Sequence, residues 1–471
     1  MIYSWTKVVA KKYKNMKAIK LLLFLMLTAA FSACNLLNEV SPNDVSAADA
    51  IKDGASAEAA LLGIYSSMQQ KGYYGGQYLL IGEAVTDNAV TGGYQVISLD
   101  ELGNKAVTPA NTLVEDLWLS MYRVVANCNG LLTALPNITD LSPSRKKDIE
   151  GQARAIRALA HFDLLRYFGE HWNTSSSFGV PIVTTVQAIS DVPARATVAA
   201  VYKIVTDELT AAAALLDATK EAPQYVNLNT VNALLARVYL YQKDLAKANV
   251  FASKVIDGNK FRLLDAADYS TVFTQRRTSE SIFELAFELQ NKSAYNALTY
   301  VRDGAARPEV NFMAAESLNT FFTTRGNDVR IEMLNFDSTA NDATIHPNGR
   351  TEKYRGEDVR DNPAYIVRLA EMYLIRAEAK GRVAGLADIN ALRTKRSIFP
   401  LTPAMVLTDD AYRTAILEER RAEFNFEGHR YFDLARMRRL KTDIGVAEFR
   451  SILPIPGREV KAAGLAQNPN Y

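Results

Sequence analysis

The stretch from Asn229 to Gly258, NTVNALLARVYLYQKDLAKANVFASKVIDG, restricts the fold more than any other part of this chain. Leu235, Ala236 and Tyr239 lie on one helical face, and Leu245, Ala248, Ala252 and Val255 lie on the face of a second helix. Lys243-Asp244 is the short turn between the two, and Gly258 stops the second helix. Helix pairs of this kind bury a continuous core only by stacking on neighbours, so they serve as rigid scaffolds or binding surfaces, and chemistry is not their default.

Ala236, the tyrosine three residues on and Ala248 match the spacing of a tetratricopeptide-type helix pair. A related pattern runs from Ile366 to Ser397, with Leu369, Ala370, Tyr373 and Ala377 before a longer turn and Ala387, Ile389 and Leu392 after it. Further helices are predicted over Ile149–Phe168, Val198–Leu216 and around Trp118–Leu135. Two regions break the period. Lys71–Tyr94 is rich in glycine and tyrosine, and Ala266–Arg360 mixes short strand-like runs such as SIFELAFEL with polar turns. The expected class is mostly α: tetratricopeptide-like pairs as scaffold, irregular ligand-bearing loops and a few short strands. Long irregular segments that carry aromatics point to function.

The N-terminus reads as a secretory signal. Lysines at 7, 11, 12, 14, 17 and 20 precede an apolar run, Leu21–Ala30, which ends in Phe31-Ser32-Ala33-Cys34. A spanning helix needs roughly 20 apolar residues, more than this run supplies. Met16-Lys17 makes a tighter signal start than Met1, so residues 1–15 are expected to be a start-site artefact. Cys34 sits where bacterial lipoprotein signals, which this segment resembles, place the residue that is acylated; ordinary cleavage would leave it as a free thiol. Cys128 is the other cysteine, so no disulfide framework staples the core. With 48% hydrophobic and 23% charged residues, the chain has the composition of a globular protein that rests on its core. The 54 Lys and Arg balance 52 Asp and Glu, and part of the small excess lies in the signal, which leaves no field for a polyanion such as nucleic acid.

Acids, arginines, a histidine and aromatic rings crowd together in EERRAEFNFEGHRYFDLARMRR, Glu418 to Arg439. Its arginines have carboxylates three and four residues away, so a phosphate grip is not required and an internally paired network is the simpler reading. The chain has four histidines, none in a metal-binding, nucleotide-binding or nucleophile motif. His429 and Asp433, four apart, could meet on a helix as a structural pair. No cofactor and no metal site is expected.

This stretch resembles the C-terminal signature of the SusD/RagB family, surface lipoproteins of Bacteroidetes that capture nutrients. CNLLNEVSPNDVS is similar to the family's start, ALLGIYSSM to its first helix, RALAHFDLLRYFGE and GVPIV to its middle, IVRLAEMYLIRAEA to the helix before the signature, and LPIPGREVKAAGLAQNPNY to its ending. The resemblance implies a SusD-like fold over residues 34–471 after a signal of residues 1–33. An N-terminal part of about 34–220 and a C-terminal part of about 260–471 would flank the helix pair at 229–258. It implies no catalysis, a lipid anchor at acylated Cys34 on the outer face of the outer membrane, and a SusC-like TonB-dependent transporter as partner. It also implies that Arg430 and Asp433 fix the C-terminal helices, that Arg421 and Glu427 pair internally, and that His429 is a structural member of the motif.

A glycan is held by aromatic faces and hydrogen-bonding side chains. Tyr73, Tyr74, Tyr78 and Tyr94, flanking Asp87-Asn88, have that chemistry, with glycines around them that could leave the rings exposed. Trp172, Tyr295, Tyr300 and Arg302 form a second group. Either set could instead cover a core seam. An oligosaccharide and a peptide ligand fit the composition equally well. A secreted glycoside hydrolase on a helical scaffold is the alternative from another class; it would need two carboxylates across a cleft, and none are marked.

Overall fold

Capping chemistry sets where the helices begin. Asp53 and Ser56 form a capping box at α1 (Gly54–Met68), and α2 (Gln77–Ala84) and α3 (Ile97–Gly103) follow. Asn111 caps α4 (Thr112–Ala134), Ser142 caps α5 (Pro143–Phe168) with Pro143 in its first turn, and Thr197 caps α6 (Val198–Leu215). Caps of this type contribute about 1 kcal/mol each. Asn227 and Thr230 form a second capping box at α7 (Leu228–Tyr241), and Asp244 caps α8 (Leu245–Ile256). Between α7 and α8, Lys243 turns the chain at φ 63°. The C-terminal half holds α9 (Thr271–Thr274), α10 (Glu316–Thr323), α11 (Leu369–Ala384), α12 (Leu386–Lys395), α13 (Asp409–Phe424), α14 (Arg430–Arg436), α15 (Leu440–Ile444) and α16 (Gly457–Ala462).

These residues come from a computed structural model that describes residues 50–91, 96–188, 191–288, 312–335, 349–354 and 362–471. Residues 51–471 form one compact unit. Helices α4, α5, α6, α7, α8 and α11 pack each on the next, and α11 also packs on α12 and α13. Stacking of this kind gives each amphipathic helix a neighbour on both sides, as in helical-repeat proteins. The fold is mostly α-helical, as the spacing predicts. The predicted pair at 229–258 appears as α7 and α8, with Leu235, Ala236, Ala248, Ala252 and Val255 buried and Leu245 partly exposed at the turn.

The short strands pair in twos, all antiparallel: β1 (Ala89–Thr91) with β3 (Phe312–Ala314), β2 (Ser281–Leu285) with β6 (Ala364–Arg368), and β4 (Leu334–Asn335) with β5 (Arg350–Thr351). Three local expectations change. Ile366–Arg368 begins no helix: the run belongs to β6, buried on both faces against β2, and the helix starts at Leu369. The longer turn expected after Ala377 is a break at Gly381, φ 75°, followed by Gly385 between α11 and α12. Within Lys71–Tyr94, expected to be irregular, α2 is a helix buried along its whole length.

Candidate functional site

Three signature carboxylates, Glu419 and Glu423 on α13 and Glu427 just after it, reach inward. Glu423, fully buried, pairs with Arg330 at 3.1 Å, Arg368 at 3.0 Å and Arg396 at 2.9 Å. Glu419 binds Arg325, Arg330 and Arg393, each at 2.7 Å. Glu427 accepts from Lys353 and Arg368, both at 2.8 Å, while Glu280 and Asp328 complete the pairing of Arg396 and Arg330. Burial alone would raise Glu423 and Glu419, but the guanidiniums of Arg396 and Arg368 hold Glu423 well below the usual carboxylate range, and Arg330 and Arg325 lower Glu419. Both carboxyls are therefore ionised at neutral pH.

Asp433 receives Arg420 and Arg436, and Arg420 also bonds the Nδ1 of His429 at 3.3 Å, so one guanidinium bridges the two residues the spacing would have paired directly. Burial, with Arg237 and Arg420 nearby, keeps His429 well below its usual range and hence neutral, stacked on Phe424. Arg430 grips Asp87 with two bonds of 2.9 and 3.1 Å, and Arg421 reaches Asp87 at 3.1 Å and Asn88 at 2.9 Å. Asp87 and Asn88, offered by the sequence as sugar-bonding groups, are taken up by the signature.

Asn88 also donates to the buried Glu83 at 2.9 Å, and the Gly428 N–H donates to it at 2.8 Å. Burial pushes the Glu83 carboxyl up to about 7 against those bonds. A carboxyl whose folded value exceeds its unfolded value of 4.5 favours folding fully only below 4.5, and that contribution is lost as pH rises through 7. Relative to Glu83→Gln, the native protein is expected to lose about 2–3 kcal/mol of stability between pH 5 and 8. Urea melts of both proteins at the two pH values check this, and parallel losses would refute it.

Tyr73, Tyr74 and Tyr78 do not present open ring faces. All three are buried and packed together, with Tyr73 and Tyr74 centroids 4.2 Å apart and Tyr74 and Tyr78 centroids 4.4 Å apart. Tyr73 and Tyr74 donate to Asp163 at 2.5 and 2.6 Å, and Arg166 donates to both Asp163 and Tyr78. The neighbouring glycines serve close approach, not exposure: a Cβ on Gly72 would meet Ser120 Oγ at 2.1 Å, and one on Gly75 would meet the Gln69 carbonyl at 2.1 Å. Trp172 is half-buried beneath Arg438, whose guanidinium stands 4.3 Å from the ring centre. Cys34, Tyr94, Tyr295, Tyr300 and Arg302 lie outside the described residues.

An aromatic surface that the sequence reading missed lies at Tyr225. This residue is 42% exposed, its ring meets Tyr65 edge-on at 5.5 Å, and it lines both of two hollows of about 240 and 430 Å³ that also share the exposed Leu62. Gln69, Gln224 and Glu288 line the smaller, Arg145, Lys220 and Asn227 the larger. Among the described residues the buried Oε1 of Gln224 has no hydrogen-bond partner. An exposed ring flanked by amides and charges is the arrangement that holds a sugar by its C–H face and its hydroxyls. The signal was present: Pro223-Gln224-Tyr225 precedes the capping box of α7, an aromatic in a turn with no helical face to join.

Comparison with known proteins resolves the family. The SusD family model matches residues 334–448, which include the signature, and the model described as starch-binding associating with outer membrane matches residues 39–240. The chain belongs to the SusD/RagB family. A SusD-like protein of Formosa agariphila, P2, is 26% identical over 98% of this chain and 100% of its own length. A SusD superfamily protein of Bacteroides thetaiotaomicron superposes with a TM-score of 0.77 at 26% identity, covering 88% of this chain and 99% of the other. A laminarin-binding SusD-like protein shares the fold with a TM-score of 0.73 at 22% identity, over 89% of this chain and all of that one. In this SusD/RagB chain no described helix is long and apolar enough to cross a membrane, and among the described residues no His, Cys, Asp and Glu are grouped to hold a metal ion.

Proposed function

We propose that this protein is a lipoprotein of the outer membrane, anchored on the cell surface through acylated Cys34, that binds an oligosaccharide and passes it to a SusC-like TonB-dependent transporter. The observation that carries the binding step is the exposed Tyr225, which lines two polar-rimmed hollows, in a family with a laminarin-binding relative of the same fold. Tyr94, Tyr295, Tyr300 and Arg302 remain proposed contacts. Binding without cleavage is part of the reading, because the buried signature carboxylates Glu419, Glu423, Glu427 and Asp433 are ion-paired in the interior, away from any glycosidic oxygen.

The test is calorimetric titration of the soluble form starting after Cys34 with neutral oligosaccharides, laminarin fragments included, alongside a peptide panel. Tyr225→Ala is expected to weaken glycan binding about five- to tenfold, the worth of one stacked ring, with an unchanged melting temperature. Unchanged affinity removes the groove from the site, and binding to peptides alone replaces the oligosaccharide with a peptide ligand. In cells, Cys34→Ser should release the protein from the membrane fraction, and the native protein should co-purify with a transporter in mild detergent.

A further inference from the structure

The turn between α7 and α8, the break in α11, helix α13 and the end of α14 enclose a cavity of about 570 Å³, within the range of small-ligand sites. Leu240, Ile416 and Met437 supply apolar wall. Its charge is one-sided. Six cations line it against two carboxylates, Glu378 and Asp409.

Four of those cations are committed. Arg436 holds Glu378 at 2.6 Å and Asp433 at 2.9 Å, Lys380 reaches Asp388 at 3.0 Å, Arg438 pairs with Glu448, and Arg382 stands 3.4 Å from Asp409. Among the described residues Lys243 and Arg413 have no carboxylate partner, and both are exposed. Lys243 occupies the left-handed region at φ 63°, where glycine or asparagine sits more readily. Its turn is fixed by bonds from its own N–H to Leu240 and from the Asp244 N–H to Tyr239, both 3.0 Å. A lysine held in that conformation, lining the same cavity as an unpaired arginine, is a placed charge.

We propose that this cavity binds the acidic end of an oligosaccharide, a sugar ring bearing a carboxylate, with Lys243 and Arg413 pairing to the carboxylate and the apolar wall meeting the ring. The sugar part rests on the glycan-binding reading above; the site is separate from the Tyr225 groove. Arg438 links the cavity to an optical signal, because it both lines the wall and covers Trp172. In the form starting after Cys34 the only other tryptophan is the buried Trp118.

The probes are trigalacturonate and its fully methyl-esterified counterpart, which keeps the rings and removes the charge, titrated against the soluble protein by tryptophan fluorescence and calorimetry. The acid is expected to bind at least about tenfold tighter than the ester, to weaken with added salt, and to lose about tenfold or more in the Lys243→Asn, Arg413→Gln double variant. Asparagine tolerates the turn, so this variant should melt no lower than the native protein. Tyr225→Ala is expected to leave acid binding unchanged. No binding of the acid, equal binding of acid and ester, or full affinity in the double variant would overturn the proposal, as would loss of acid binding in Tyr225→Ala. Failure of neutral glycans to bind the groove while the acid still binds here would sink the groove and leave this site standing.

Discussion

Glu423→Ala is expected to lower the stability of the protein by about 3–5 kcal/mol, the typical loss when one member of a buried ion pair is removed. Glu423 is the shared partner of Arg330, Arg368 and Arg396, all fully or almost fully buried, so its removal strands positive charge where water cannot reach it. Asp328, Glu427 and Glu280 still touch those arginines, which argues for a destabilised fold and not an absent one. Glu423→Gln keeps an acceptor and loses the charge, so it should fall between native and alanine. The pH dependence has a definite sign. Because the folded carboxyl titrates below its unfolded value of 4.5, its contribution is complete above that pH and is withdrawn as pH falls toward the folded value. The native advantage over Glu423→Gln should therefore shrink below pH 4.5. Denaturant midpoints across pH 3 to 7 measure it; an alanine variant as stable as the native protein would show that the signature is not what holds the C-terminal helices.

A second large effect is expected at Asp163, a buried carboxylate that the signature does not touch. It accepts from the hydroxyls of Tyr73 and Tyr74 and from Arg166, and Arg166 lies against the rings of Phe162 and Phe432 with their centres 4.7 and 4.3 Å away. Asp163→Ala leaves a buried guanidinium without a counter-charge, about 3–5 kcal/mol, and strands two hydroxyls at about 1–3 kcal/mol each, so the variant is expected to be largely unfolded at 37 °C. Tyr73→Phe and Tyr74→Phe remove one donor apiece and should lose only about 1 kcal/mol each. Circular dichroism melts of the three variants check the ranking. A folded, native-like Asp163→Ala protein would refute it. The same geometry changes what alanine at Tyr73 or Tyr74 means: lost binding there would report a collapsed core, not a missing sugar contact.

Much of the scaffold was legible because helical packing is local. Alanine and leucine at three- and four-residue intervals announce α7 and α8, and the balance of acids and arginines announces internal pairing. What the sequence hides is which pairs form over long range. Asp163 lies about 90 residues from the tyrosines it binds, and Asp87 more than 300 from Arg421 and Arg430, so nothing near Tyr73 or Asp87 marks them as already engaged. Glycine misled for a related reason: a residue without a side chain reads the same whether it bares a neighbouring ring or lets another chain segment press close, and Gly72 and Gly75 do the second. Tyr225 escaped notice because a lone aromatic in a turn has no period. Ile366–Arg368 continues straight into a helix, and only its partner strand at Ser281–Leu285 reveals it as β.

The scatter of the buried ions along the chain has an evolutionary consequence. Glu280, Asp328, Arg330, Lys353, Arg368 and Arg396 come from separate places along the chain and converge around Glu419, Glu423 and Glu427. A substitution at any one of these ions strands its buried partners, so selection acts on the set as a unit. Exposed positions outside the set carry no such constraint. A chain built this way can hold its shape while its exposed positions change.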